Sequence, residues 1–177
     1  MNITVVLGTA RINRNSELVA FFIHNYINNH TEHQSELADV RDLNQDAVTT
    51  PPWGEGGADS NPTNWQIIVQ KSDALIFVIP EYNYSFPGEL KILLDSLLSD
   101  YKNKLVGLIG VSTGSFGGAR AVEHIKPVLL KLGFKISNDN LYFPNVTDKF
   151  SDNGKVIDDE TNDRVSRFIN ELEMVSK

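Results

Sequence analysis

The chain has 177 residues, 41% of them hydrophobic and 22% charged, which is the size and balance of one ordinary globular domain. Its 23 acidic residues outnumber 16 basic ones, for a net charge of -7, and this argues against nucleic acid or an anionic membrane as a partner. The absence of cysteine excludes a disulfide framework, a thiolate metal site and a cysteine nucleophile, and the four histidines fall in no metal-ligand motif.

Ile3 to Leu7 is a continuous apolar run that stops at Gly8, the pattern of a strand buried on both faces. It lacks the basic flank of a secretion signal. A polar stretch follows, and then Val19, Phe22, Ile23, Tyr26 and Ile27 recur at helical spacing, with Ser16 placed to cap the helix. A weak strand is expected over Glu36 to Val40. Residues 44–61 contain Pro51, Pro52, Gly54, Gly56 and Gly57 without periodicity and read as a long loop of the kind that carries function. Asn61 and Pro62 look like the cap and first position of a short helix bearing Trp65, Ile68 and Val69.

Ala74 to Pro80 is a second fully buried strand, and Leu90, Leu93, Leu94, Leu97 and Leu98 form the stripe of a third helix. Leu105 to Val111 is another buried strand. Both apolar runs are far shorter than the roughly 20 residues of a membrane helix, so the expectation is a cytoplasmic protein. Gly118 to Leu132 follows as a helix that Gly133 stops. A short strand near Phe134 to Ile136 or Leu141 to Phe143 comes next, and Val165, Phe168, Ile169 and Leu172 mark a last helix. Strands alternating with helices imply one α/β domain over 1–177, its parallel sheet covered on both sides. Ligands of such folds sit beyond the carboxyl ends of the strands.

Three loops at those ends have unusual composition. Gly8 to Ser16 offers Arg11, Arg14, Asn15 and the hydroxyls of Thr9 and Ser16 at a helix N-terminus, and carries no acid. Backbone N–H groups and the helix dipole favour an anion there. The loop matches neither the dinucleotide fingerprint nor the triphosphate-binding loop, which leaves a monophosphate. A plain polar connection is the alternative. Pro80 to Gly88 sets Glu81, Tyr82, Asn83, Tyr84 and Phe86 on a path fixed by two prolines, suited to a planar heteroatom-edged ring or to simple packing. Ser112 to Arg120 is rich in glycine, and its N–H groups can form a nest for partial negative charge or merely a flexible turn.

Gly8-Thr9-x-Arg11-x-x-Arg14, the segment Pro80-Glu81-Tyr82-Asn83-Tyr84-Ser85-x-Pro87-Gly88-x-Leu90-Lys91 and the segment Ser112-Thr113-Gly114-x-x-Gly117-Gly118-x-Arg120 resemble the NADPH-dependent FMN reductase family. The resemblance covers essentially the whole chain. It departs at Arg14 and Ser16, where relatives commonly carry serine and asparagine.

The resemblance implies a three-layer flavodoxin-like sandwich with strand order 2-1-3-4-5. It implies FMN held at its phosphate by Thr9, Arg11, Arg14, Asn15 and Ser16. Pro80, Glu81, Tyr82 and Asn83 would line the ring and ribityl chain, and Thr113, Gly114, Ser115 and Gly117 would meet the pyrimidine edge. The implied activity is hydride transfer from NADPH or NADH through FMN to a small-molecule acceptor (a flavin, quinone or azo compound) by a ping-pong mechanism. No metal and no catalytic side chain are called for.

Two rival readings are a flavodoxin-type single-electron carrier and a non-enzymatic α/β binding domain. Paired Arg11 and Arg14 argue against the first, and the lack of an acidic cluster at the ends of the first and third strands argues against a receiver-type form of the second. Ile92, Tyr84 and Phe86 are candidates for a partner surface, and the resemblance likewise implies a homodimer or homotetramer.

Overall fold

The computed structural model describes residues 1–43, 63–151, 155–157 and 159–176. The elements run β1 (Asn2–Leu7), α1 (Ser16–His30), β2 (Gln34–Asp39), α2 (Asn64–Lys71), β3 (Ala74–Pro80), α3 (Gly88–Asp95), β4 (Leu105–Val111), α4 (Ala119–Leu132), β5 (Lys135–Phe143) and α5 (Asp159–Ser176). The strands form one sheet in the order β2-β1-β3-β4-β5, every pairing parallel.

Side chains alternate across this sheet with period two. Ile3, Val5 and Leu7 of β1 and Ala74, Ile76 and Val78 of β3 face a core shared with α1 and α5. Val6 of β1 and Leu75, Phe77 and Ile79 of β3 face the opposite core, closed by α2, α3 and α4. Both faces are therefore apolar, which is why β1, β3 and β4 read as unbroken hydrophobic runs. In the second core Trp65 Nε1 donates to Tyr101 Oη at 2.6 Å, and that hydroxyl donates to Leu93 O at 3.3 Å. Both rings are fully buried. Burial pushes the Tyr101 hydroxyl well above its ordinary range; the Trp65 hydrogen bond opposes this and nearby Asp100 and Asp95 add to it.

Two glycines of β4 are steric necessities. A Cβ on Gly107 would stand 2.6 Å from Phe168 Cζ of α5, and one on Gly110 would stand 2.4 Å from Gly117 O. The second contact lets the loop after β4 fold back against its own strand.

Several local expectations change. Thr63 caps α2 through its side chain, accepting from Gln66 N, while Asn61, Pro62 and the loop 44–61 lie outside the described residues. β2 begins two residues earlier than expected. α3 stops at Asp95, so Leu97 and Leu98 lie beyond it, and Leu98 is exposed. β5 is one nine-residue strand, its register shifting between Val106 and Leu108 of β4. Ser16 does not cap α1: Asn15 is the cap residue, without a side-chain capping bond, and Ser16 is the first helical residue. Phe86 packs against the second core rather than facing out, and Ile92 is half-buried.

Candidate functional site

β1 and β3 are neighbours in space although β2 lies between them in sequence, so a crevice opens where their carboxyl ends diverge. Gly8 spans it, its N–H donating to Val78 O at 3.0 Å. A Cβ there would come within 2.9 Å of that same oxygen, so glycine is required by close approach.

The buried Thr9 is a junction. Its hydroxyl lies 2.7 Å from Tyr82 Oη, accepts from Arg11 N at 3.2 Å and donates to Glu89 Oε1 at 3.4 Å. Glu89 also accepts from Ala10 N at 3.1 Å. The first loop is thereby bonded to the second loop and to the first turn of α3. Arg14 is buried, its side chain only 2% exposed, and its guanidinium grips both oxygens of Asp39 at the end of β2. It also donates to Glu17 at 3.3 Å and to Thr9 O. Burial would raise the Asp39 carboxyl, but the hydrogen bonds from Arg14 and from Arg41 N and the charges of both arginines hold it below its ordinary value. Burial likewise works against the Arg14 charge, and the bonds to Asp39 and Glu17 overcome it and raise the guanidinium's pKa. Arg11 is exposed and pairs with no acid among the described residues.

The second loop is a tight hairpin. Tyr82 N donates to Ser85 O at 2.8 Å and Ser85 N returns a bond to Tyr82 O at 2.9 Å. Its two central residues, Asn83 at φ 49° and Tyr84 at φ 68°, are left-handed, as a type I′ turn demands. Asparagine tolerates that region; a tyrosine there is uncommon. The Arg120 guanidinium lies 4.2 Å from the Tyr84 ring and 4.4 Å from the Phe116 ring, and donates to Glu81 at 3.0 Å. In the third loop Asn145 N donates to Gly114 O at 3.0 Å and Val146 N to Ser112 O at 3.1 Å, which ties it to the turn after β5.

A cavity of about 240 Å³ lies between these loops. Of the expected site residues, Thr9, Arg11, Arg14, Asn15, Ser16, Pro80, Glu81, Tyr82 and Thr113 line it. Asn83, Gly114, Ser115 and Gly117 are not part of the lining: Asn83 sits at the exposed hairpin tip, and Gly117 is buried against the backbone of Phe143 and Pro144. Larger hollows of 450 and 630 Å³ lie at the opposite, amino edge of the sheet, away from all three loops.

Three buried polar atoms on cavity-lining residues have no partner among the described residues: Ser16 Oγ, Arg14 Nε and Glu81 Oε2. The first two can donate and the third can only accept. A guest with an anionic oxygen near the helix N-terminus and a hydroxyl near Glu81 would satisfy all three. That is the chemistry of a phosphorylated polyol chain, so the residues present fit FMN. Sequence reasoning missed Asp39, Arg41, Glu89 and Arg120 as parts of the site. Arg120 stood in the glycine-rich motif without a role assigned to it, and Glu89 lies one residue beyond the Pro87-Gly88 pair; Asp39 and Arg41 carried no local signal.

The fold is flavodoxin-like, with the cavity between its loops at the switch point of the sheet. The chain belongs to the NADPH-dependent FMN reductase family, whose model matches residues 1–148. It is 28% identical over 111 residues to an NAD(P)H-dependent FMN reductase of Pseudomonas aeruginosa, a match covering 60% of each chain. A quinone reductase of Escherichia coli is 35% identical over 104 residues, covering 55% of each. The chain thus aligns with less than two thirds of either relative. Among solved structures, a flavoenzyme NAD(P)H:(acceptor) oxidoreductase of Paracoccus denitrificans superimposes with a TM-score of 0.80 at 22% identity, covering 98% of this chain and 97% of that one. Flavodoxin 1 of Bacillus cereus superimposes at 0.62 and 15% identity, covering 98% of both chains. No helix among the described residues is long and apolar enough to cross a membrane.

Proposed function

We propose that the chain is an NAD(P)H-dependent oxidoreductase that holds FMN and reduces a small acceptor such as a flavin, a quinone or an azo compound. The carrying observation is the trio of orphaned atoms: two donors where the phosphate would lie and one acceptor where the ribityl hydroxyls would lie. Arg11 and the N-terminus of α1 supply the positive end. Thr9, through Tyr82 and Glu89, fixes the distance between phosphate loop and ring loop. Thr113, Gly114, Ser115 and Gly117 offer the third loop to the pyrimidine edge, and Asn83 stands at the rim. FMN, when bound, supplies the hydride chemistry, and the protein supplies binding, orientation and electrostatics.

All three loops open on one edge. Nicotinamide and acceptor would therefore take turns in one opening, which is the basis for expecting ping-pong kinetics. The reading takes the cytoplasm as the working compartment and a homodimer or homotetramer as the working form; the exposed Tyr84 and Phe116 rings beside the opening support a self-contact there.

The test is spectroscopic. Purified protein titrated with FMN should show tight quenching of flavin fluorescence, and anaerobic NADPH should bleach the bound flavin within the turnover time. Absence of FMN binding would overturn the reading. Binding without bleaching by either nicotinamide would favour the single-electron carrier instead.

A further inference from the structure

The first loop is held from outside as well as from within. Thr9 O accepts from Arg14 Nη1, Ala10 O accepts from Arg41 Nε at 3.0 Å, and Arg11 O accepts from Arg41 Nη2. Three consecutive carbonyl oxygens are thus taken by two guanidinium groups. Both arginines are set by one carboxylate: Asp39 accepts from Arg14 on both oxygens and from Arg41 N at 2.9 Å. Arg41 itself is exposed and does not line the cavity.

A trans peptide points its N–H opposite to its carbonyl. Fixing Arg11 O on the Arg41 side therefore turns the Ile12 N–H to the other side, and that N–H has no partner among the described residues. A carbonyl facing a phosphate repels it, and an N–H attracts it. The loop's fit to an anion accordingly depends on which way these peptides are turned.

We propose that Asp39, Arg14 and Arg41 form a carbonyl clamp that presets the first loop for a phosphate, so that discrimination between FMN and riboflavin depends on Arg41, a residue outside the cavity. The proposal rests on the flavin-binding reading above and adds positioning residues to it. Arg41 acts through the loop, and its planar fork, which reaches two carbonyls at once, is the working feature.

The test is the ratio of FMN to riboflavin affinity, measured by fluorescence quenching on the full chain. Arg41→Ala should weaken FMN about tenfold, the scale of one or two charge-assisted bonds, and leave riboflavin within about twofold. Arg41→Lys keeps the charge but not the fork, and should recover only part of the loss. Melting temperature, followed in parallel, should shift little, because the side chain is exposed. An unchanged ratio in Arg41→Ala overturns the clamp, as does an equal loss of both ligands. Full recovery in Arg41→Lys overturns it too, since charge would then suffice. A parent chain that binds neither flavin overturns the functional reading, and the clamp with it; a parent that prefers FMN, beside an Arg41→Ala variant with the same preference, overturns the clamp and leaves the function standing.

Discussion

Glu81, which lines the cavity, accepts from Arg120 at 3.0 Å, and this contact latches the second loop to the third. The latch is reinforced by the rings of Tyr84 and Phe116 on the same guanidinium. The arginine side chain is 34% exposed, so the ion pair itself contributes little, within about 0–1 kcal/mol. Each cation–π contact adds about 0.5–1 kcal/mol. Arg120→Ala should therefore cost about 1–3 kcal/mol, at about 2–4 °C of melting temperature per kcal/mol for a chain of this size. On the proposed function both loops would meet the ring rather than the phosphate, so FMN and riboflavin should weaken together, by a few-fold. A selective loss of FMN would place Arg120 at the phosphate instead.

Arg11 should act oppositely. It is the exposed cation of the first loop and pairs with no acid among the described residues, whereas the Arg14 charge is already committed to Asp39. Arg11→Ala should weaken FMN by about ten- to a hundredfold, the equivalent of losing a charge-assisted hydrogen bond. Riboflavin, without the phosphate, should bind as before. Calorimetric titration with the two ligands decides the matter, and equal affinities in parent and variant would remove Arg11 from the site.

Asp39 should set part of the acid limb of stability. Its folded carboxyl is held below the ordinary value of 3.8, so its contribution is present above that value and is lost as pH falls through the lower folded one. Asp39→Asn leaves the buried Arg14 guanidinium with Glu17 as its one charged partner among the described residues, a loss of up to about 3 kcal/mol near neutrality. The gap between parent and variant should close as acid protonates the parent's Asp39. Urea melts from pH 7 downward read this directly, and a gap that stays constant would separate Asp39 from the effect.

Tyr101 governs the alkaline side. Its hydroxyl is raised above the ordinary 10.0, so the folded state keeps a proton that the unfolded chain gives up, and stability falls as pH rises past that value. Tyr101→Phe removes this dependence but strands the buried Trp65 N–H, at about 1–3 kcal/mol. The variant should be the weaker protein at pH 7 and the less pH-sensitive one above 10. Parallel slopes for the two proteins would show that other tyrosines carry the alkaline effect.

The sheet was legible where the residues are redundant. Ile3–Leu7, Ala74–Pro80 and Leu105–Val111 carry no polar side chain except the buried Thr4, whose hydroxyl is satisfied by Ser72, and the order of the strands followed from the family pattern. β5 was harder to see, because Ser137-Asn138-Asp139-Asn140 interrupts its apolar ends and only the pairing with β4, register shift included, makes it one strand. The site was legible as three loops but not as a set of contacts. Nothing near Arg14 announces Asp39, 25 positions on, and nothing near Glu81 announces Arg120, 39 positions on. Ser16 looked like a cap because serine caps helices; the helix begins without using its hydroxyl, which leaves that atom for a guest.

Asp39 is the last residue of β2, and β2 is an edge strand, paired among the described residues with β1 alone. Edge strands open by local fluctuation, whereas central strands exchange their amide hydrogens through deeper unfolding. The carboxylate proposed to preset the first loop is thus mounted on an edge strand. Each excursion of the β2 end from β1 would release the loop, and a ligand that needs the loop in shape would hold the strand in place. Amide exchange along 34–39 should therefore slow when FMN is added, far more than it does with riboflavin, and an element remote from the ring would report which flavin is bound.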